Sequence, residues 1–310
     1  MKIFVTGAAG QVGSHVVDSL IARGDQVLGI DNFATGREEH VAKSDLYTFV
    51  NGSIGDAKTI SDIFDSFKPD VVVHTAAAYK DPDDWKTDVE TNVFGAVNLI
   101  QASKEAEVKR FIYFQTALIY GVKPDVNPVP LDHPRRVDNS SYSISKGAAE
   151  DYLSLSGLDH VVFRLANVVG DRCVSGPLPL FYQRLGQGKQ CFVTPARRDF
   201  VFVDDLVNAV VKAIDGQGKG EYHFSSGTDV PIIDLYNAVV KAMGLTDAPE
   251  PELRPLTEDD APSILLDPSR TFQDFGDIKF TPLEQTVKAA IDYYNEFGAI
   301  GGYTHLKSDH

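Results

Sequence analysis

The chain has 310 residues, 43% of them hydrophobic and 24% charged, the balance of a globular protein long enough for more than one domain. Its 44 acidic and 29 basic residues give a net charge of −15, which disfavours nucleic acid and anionic membrane surfaces as partners. No apolar run approaches the roughly 18 residues of a membrane span, and the opening MKIFVTG reaches glycine too early for a signal peptide, so a soluble cytoplasmic protein is expected.

The first strand run, KIFVTG, breaks into GAAGQVGSHVV, which sets Gly7, Gly10 and Gly13 in a GxxGxxG spacing between a strand and the helix SHVVDSLIARG, with Gly24 as its stop. Glycines in such a turn let the backbone approach a pyrophosphate, which then sits on the positive end of the helix dipole. The glycines alone also fit a purely structural turn. The second run, QVLGID, ends on Asp31, placed where a carboxylate accepts hydrogen bonds from both hydroxyls of an adenosine ribose. Turn and carboxylate together predict a dinucleotide site. Asp31 would repel a 2′-phosphate, so the expected cofactor is NAD rather than NADP, and Arg37 reads as a solvated loop cation.

YTFVNG, DVVVHTAA, RFIYFQTA and HVVFRLAN supply four further strand runs, with the long helix TDVETNVFGAVNLIQASKEA (87–106) before the third of these. This βαβ rhythm predicts an α/β fold built on a doubly wound Rossmann parallel sheet. RFIYFQTA is apolar on both faces until Gln115 and Thr116, so a hydroxyl stands at the carboxyl end of a buried strand, the edge where open α/β sheets bind ligands.

SSYSISKGAAEDYLSLSG (140–157) predicts a helix capped by Ser140 or Ser141 and stopped by Gly157, with Tyr142 and Lys146 on one face. A free tyrosine has a pKa of ~10, and a nearby ammonium lowers it by ~1–3 units, so Tyr142 could take a proton from a substrate hydroxyl as that carbon is oxidised. YxxxK by itself fits any amphipathic helix. Thr116, one strand–helix step earlier, turns it into a constellation in which the threonine hydroxyl bonds the reacting oxygen and shares its proton with Tyr142.

After Asn167, Gly170, Gly176, Pro177 and Pro179 interrupt the rhythm, and a domain change is expected near residue 170: residues 1–170 form the dinucleotide-binding domain and 171–310 a smaller C-terminal α/β substrate domain, some of whose segments return to the first. PEPELRPLTEDDAP (249–262) reads as a loop, PLEQTVKAAIDYYNEFG as a helix ending at Gly298, and the tail beyond as loosely docked. Cys173 and Cys191 show no ligand spacing and read as reduced structural thiols; the eight scattered histidines likewise argue against a metal.

The pieces TGAAGQVGSH, DNFATG, VVVHTAAA, TNVFGAVNLI, QTALIYG, YSISK, FRLANVVG, RRDFVFVDDL and DDAPSILLDPSR resemble, nearly end to end, the extended short-chain dehydrogenase/reductases of the NAD-dependent sugar-nucleotide epimerase/dehydratase family, in the manner of UDP-glucose 4-epimerases. AAAYKDPDDW and LANVVGDR further resemble a subgroup found in lipopolysaccharide O-antigen clusters, the WbmG/WbmH type. The resemblance implies Thr116, Tyr142 and Lys146 as the catalytic triad and Gly7, Gly10, Gln11, Val12 and Gly13 as the pyrophosphate turn. It puts Asn32, Thr35 and Gly36 after Asp31 around the adenosine, Thr75, Ala76 and Ala77 along the cofactor, and Asn92 as the organiser of the active site. Ser53 and Ile54 fall near the adenine, where relatives often carry an aspartate in place of the serine.

The resemblance also sorts the reaction. Dehydratases of the family resemble Thr-Asp-Glu at the catalytic threonine and decarboxylating members carry a glutamate nearby, whereas Ala117 and Leu118 follow Thr116 here and offer no proton donor for elimination. What remains is epimerisation, most often at C4, of a nucleotide-diphosphate sugar such as a UDP-hexose, UDP-N-acetylhexosamine or UDP-hexuronic acid. Dehydration or decarboxylation, and a non-catalytic NAD-binding module, stay as alternatives. For the substrate the family pattern implies Ala78, Asn167, and the two arginines Arg198 and Arg254 on the phosphates. Arg198 could instead pair with Asp199. Ile264 replaces a bulky tyrosine and would leave room for a 2-acetamido group, and Lys80 could meet a uronate carboxylate or simply pair with Asp81, Asp83 or Asp84. Relatives pair the helices at about 87–106 and 142–156 into a four-helix interface, which implies a homodimer.

Overall fold

Strands that are apolar on both faces must be covered from both sides, and this chain covers them with helices. The computed structural model describes residues 1–137, 140–257 and 260–299. In chain order the first half runs β1 (Lys2–Thr6), α1 (Gln11–Arg23), β2 (Gln26–Asp31), β3 (Tyr47–Asn51), α2 (Ala57–Phe67), β4 (Val71–His74), α3 (Trp85–Asp88), α4 (Ala96–Glu105), β5 (Arg110–Thr116), α5 (Ser141–Ser156) and β6 (His160–Leu165). The second half adds β7 (Asn167–Val169), α6 (Pro177–Gly186), β8 (Phe192–Val193), β9 (Arg197–Arg198), β10 (Phe200–Phe202), α7 (Val203–Ile214), β11 (Gly220–Phe224), β12 (Val230–Pro231), α8 (Ile232–Ala242), β13 (Glu252–Leu253), α9 (Ser269–Phe275) and α10 (Leu283–Phe297).

Seven strands form one parallel sheet in the order β3-β2-β1-β4-β5-β6-β11. The order reverses between β1 and β4, which opens the crevice where such sheets take their ligand. All six predicted runs are strands of this sheet; β11 lay outside them and enters from the later chain. Alternation along the strands divides the core. Ile3, Val5, Ile112 and Phe114 face α1 and α7, while Phe4, Phe111 and Tyr113 face α2, α4 and α5. A third cluster joins α6, α8 and α10 through residues such as Phe181, Leu235 and Ile291, and a fourth packs Ile119, Tyr120, Val129, Ile264 and Leu266 beside the end of β5.

Two expectations need correction. The long helix at 87–106 has the predicted extent, but Val89–Gly95 is wound as a π-helix between α3 and α4, a register that only tertiary packing sustains. The stretch 249–262 is not all loop, because β13 pairs with β8 inside it; Glu258 and Asp259 lie outside the described residues. Most of the tail beyond Gly298, residues 300–310, lies outside them too. Both cysteines are buried and free. Among the described residues no helix is long and apolar enough to cross a membrane.

Candidate active site

The glycine turn is built so tightly that side chains have no place in it. Gly7 holds φ +67°, the left-handed region, and a Cβ there would lie 2.7 Å from both Ala76 N and Thr75 Oγ1. A Cβ on Gly13 would stand 2.1 Å from the Gly7 carbonyl oxygen. Thr75 backs the turn by donating its hydroxyl to the Thr6 carbonyl at 2.7 Å, and Gly10, the cap of α1, donates its N–H to the Gly7 carbonyl at 3.0 Å. Gln11 opens α1 and reaches Asp171 O at 3.3 Å, while half-buried Val12 packs into the core.

Asp31 is 9% exposed at the end of β2, where its carboxylate accepts from Ala9 N at 3.0 Å and Phe33 N at 2.8 Å. Burial raises its pKa, opposed by these backbone donors. Gly36 approaches the same carboxylate so closely that a Cβ would lie 2.9 Å from Oδ1. Asn32 turns the loop by accepting from Ala34 N at 3.0 Å, and half-buried Thr35 lines a cleft with Phe33 and Val174. A turn whose interior a single Cβ would fill, leading to a fixed carboxylate at the next strand end, fits a dinucleotide. Ser53 Oγ accepts from Gly55 N at 3.1 Å, and Ile54 is buried in the core.

Arg37 is not the solvated cation expected. Its guanidinium bonds the Gly298 and Phe297 carbonyls at 3.2 and 3.3 Å, so the loop after β2 is tied to the end of α10. His40, which sequence reasoning missed, joins Ala9 O at 2.8 Å to the Tyr293 hydroxyl at 2.6 Å.

The helix carrying Tyr142 and Lys146 is capped as predicted, with Ser140 Oγ accepting from Ser143 N at 3.1 Å and Gly157 ending it at φ +75°. This α5 packs on β5 and on the 3₁₀ turn Ala117–Tyr120 that follows Thr116. Thr116 caps that turn: its Oγ1 accepts from Leu118 N at 3.2 Å, which engages a lone pair and leaves the O–H proton to donate outward. Lys146, 3% exposed, lies with Nζ 4.0 Å from the centre of the Tyr113 ring. Burial lowers its pKa to about 7, against the pull of Glu150.

Half-buried Tyr142 is held by packing with Tyr79, edge to face at 6.5 Å. The lysine-driven lowering of its phenol is not what these surroundings produce. Burial raises it, and Tyr79 and Asp88 add to the rise. Asp88 is itself 3% exposed, with its carboxyl pushed up by burial.

Asn92 is 1% exposed on the π-helix; it brackets Ala78 by accepting from its N–H at 2.7 Å and donating to its carbonyl at 3.0 Å, and donates to Ser145 Oγ at 3.0 Å. The loop through Thr75, Ala76, Ala77 and Ala78 is thereby fixed against α5. Lys80 is exposed at its end.

Asn167 is exposed on β7, and its N–H donates to Asp199 O at 3.0 Å. Arg198 bonds the carbonyls of Ala261 and Arg197 at 2.7 and 2.8 Å. It does not pair with Asp199, whose carboxylate is taken by Ser225 and Ser226. Exposed Arg254 lies over the Phe192 ring at 4.3 Å and bonds Glu252 at 2.9 Å. Ile264 is 9% exposed within the fourth apolar cluster. Sequence reasoning also passed over Glu150, although its position eight residues after Tyr142 and four after Lys146 puts it on their face of α5.

A sheet of this order, with a dinucleotide turn at its switch point and a Tyr–Lys helix against the next strand end, defines a dinucleotide-dependent enzyme of the doubly wound class. The sequence model of the NAD dependent epimerase/dehydratase family matches residues 3–225, and the chain belongs to that family. It is 32% identical to the UDP-glucose 4-epimerase of Mycolicibacterium smegmatis over 95% of this chain and 98% of that one. The crystal structure of Bordetella bronchiseptica WbmH in complex with NAD+ superposes with a TM-score of 0.94 at 63% identity, covering 96% of this chain and 99% of that one. WbmG from the same organism, in complex with NAD and UDP, superposes with a TM-score of 0.89 at 38% identity over 99% of both chains.

Proposed function

We propose that this family member is an NAD-dependent epimerase acting at C4 of a UDP-linked sugar through a transient 4-keto intermediate. The observation that carries the reading is the end of β5: Thr116 caps a turn whose next residues are Ala117 and Leu118, and the Tyr142–Lys146 helix packs directly on it. Gly7, Gly10 and Gly13 would cradle the NAD pyrophosphate, Asp31 the ribose, and Thr75–Ala77 the inner half. When bound, NAD supplies a two-electron oxidant that can return its electrons to the same carbon.

The chain's own residues handle protons and position. Tyr142 removes the proton of the C4 hydroxyl and returns it after the keto sugar has turned, and Thr116 donates a hydrogen bond to that oxygen. In its protonated form Lys146, together with the cationic nicotinamide ring when NAD is bound, would favour the phenolate against the burial that raises the Tyr142 phenol. Because Ala117 and Leu118 can neither donate nor accept a proton, elimination has no acid at this edge. WbmG's complex with UDP supports a UDP carrier. Asn167, Arg198 and Arg254 would hold the diphosphate, with Ala78, Lys80 and Ile264 around the sugar.

Residues 1–170, with the returning α7 and β11, would form the cofactor domain, and the rest of 171–310 the sugar domain. Exposed Trp85, Val89, Phe94, Ile144, Tyr152 and Leu155 on the two expected helices support a homodimer, which light scattering would test. The likeness to WbmG and WbmH supports a place in lipopolysaccharide assembly, and the reduced thiols a cytoplasmic location.

Incubation with UDP-hexoses, their 2-acetamido forms and their uronic acids, followed by NMR of the anomeric and H4 signals, should show interconversion of one C4 pair. Tyr142→Phe should lower its rate by about 10²–10⁴-fold. A product lighter by water or CO2, or an unimpaired Tyr142→Phe, would overturn the proposal.

A further inference from the structure

Gln115 was singled out by the sequence as a polar residue at the end of an apolar strand, and nothing in the catalytic proposal uses it. It shares strand parity with Phe111 and Tyr113, so its side chain points at α5, and it is 2% exposed. Its amide is engaged on three sides. Oε1 accepts from the backbone N–H of Thr116 at 2.9 Å, while Nε2 donates to the Lys146 carbonyl at 2.9 Å and to Glu150 Oε2 at 2.8 Å. The orientation is chemically forced, because Thr116 N–H can only donate and the other two partners only accept. Glu150 is in turn held by Arg164 from β6, whose Nη2 donates to Oε1 at 2.5 Å. Arg164 continues through the Tyr120 hydroxyl to His223 on β11, each contact 2.6 Å.

We infer that Gln115 is a positioning residue for the reaction: its amide staples the strand end that carries Thr116 to the turn of α5 that carries Lys146. Thr116 and Tyr142 lie on different elements and must reach one substrate oxygen together. A staple that bonds the Thr116 peptide on one side and the catalytic helix on the other fixes their separation where the β-ladder ends. It acts through backbone and touches no reacting atom. Misplacement by about 1 Å at such a site costs on the order of 10²-fold in rate.

The inference rests on the proposed epimerase chemistry, and its test separates the two. In NAD-loaded protein, Gln115→Leu keeps the volume but loses all three bonds, and should lower kcat by roughly 10–100-fold with KM for the UDP-sugar within about twofold. Gln115→Glu keeps the acceptor for Thr116 and, when protonated, one donor toward α5. Its kcat should approach wild type at low pH and fall as the new carboxyl ionises. That carboxyl would face Glu150 and Lys146 on α5, with Arg164 on β6 and Arg135 ahead of α5 beyond Glu150 and Tyr113 on its own strand.

Tyr142 is read without turnover by ¹³Cζ-tyrosine NMR, assigned with Tyr142→Phe; its titration should shift in Gln115→Leu. Wild-type protein inactive on every nucleotide sugar would refute the epimerase reading and leave this measurement to decide the staple. A Gln115→Leu kcat within twofold of wild type, a wild-type pH profile in Gln115→Glu, or an unmoved Tyr142 titration would each overturn the positioning role.

Discussion

Replacing Gly13 by alanine tests the dinucleotide turn at its tightest point. The added Cβ would stand 2.1 Å from the Gly7 carbonyl oxygen, 2.8 Å from its carbon and 2.8 Å from Thr75 Oγ1, when ordinary contacts begin at 3.4 Å. Gly7 is itself pinned by Gly10 N–H at 3.0 Å and lies against the Thr75–Ala76 backbone, so the oxygen has no free direction of retreat. The turn and the first turn of α1 must separate by roughly 1 Å in a close-packed region, a strain of about 1–3 kcal/mol. At this chain length that corresponds to a fall in Tm of roughly 2–10 °C.

The same displacement moves the N–H groups that would face the pyrophosphate, so Gly13→Ala should be purified with little NAD. Differential scanning fluorimetry reads the first effect and chromatography of nucleotide released by acid the second. Gly186, at the end of α6, is the control: a Cβ there meets nothing within 4 Å, and Gly186→Ala should stay within about 1 kcal/mol of wild type. Gly13→Ala with unchanged Tm and full NAD content would refute the assignment of the turn.

Asp31→Asn removes the charge and turns an amide donor toward either Ala9 N–H or Phe33 N–H; it should weaken NAD by about 1–3 kcal/mol while narrowing the preference over NADP, measured by titration of cofactor-stripped protein. Unchanged discrimination would refute the ribose role. Stability should also fall on acidification below about pH 6.5. Burial holds His40 and His223 down at about 4, against 6.5 when unfolded, so the unfolded chain binds protons first. Both contributions are complete above the unfolded value and are lost as pH falls toward the folded one, amounting to roughly 2 kcal/mol each by pH 5. Tm of wild type and of His223→Gln between pH 7.5 and 5 checks this; equal slopes would refute it for His223.

The sheet and the cofactor type were legible because their determinants are local. Each of the six runs is a contiguous block of strand-forming residues, Gly7 to Gly13 span one turn, and Tyr142 and Lys146 are neighbours by helical period alone. Arg37 was misread for the opposite reason. Its partners are the carbonyls at the end of α10, some 260 residues away, and no local pattern distinguishes a cation that reaches them from one in water. The π register at Val89–Gly95 was equally invisible, since its helical composition is ordinary and the partners of Asn92 within it, Ala78 and Ser145, come from other segments of the chain.

The direction of the Tyr142 shift also depended on tertiary surroundings: spacing supplied a lysine four residues on, but burial and the arrival of Tyr79 and Asp88 from another segment oppose its effect. The sequence by itself determined the layers, the glycine turn, the carboxylate at the end of β2 and the placing of a hydroxyl at the end of β5 and a phenol on the helix that follows, because backbone propensity, glycine sterics and short-range periodicity act within a few residues. Only the tertiary structure decided which long-range partners hold those groups still. The Gln115 amide between Thr116 and α5, the buried Glu150–Arg164 pair and the tie from Arg37 to α10 depend on which side chains folding brings within 3 Å of one another, a property of the packed chain.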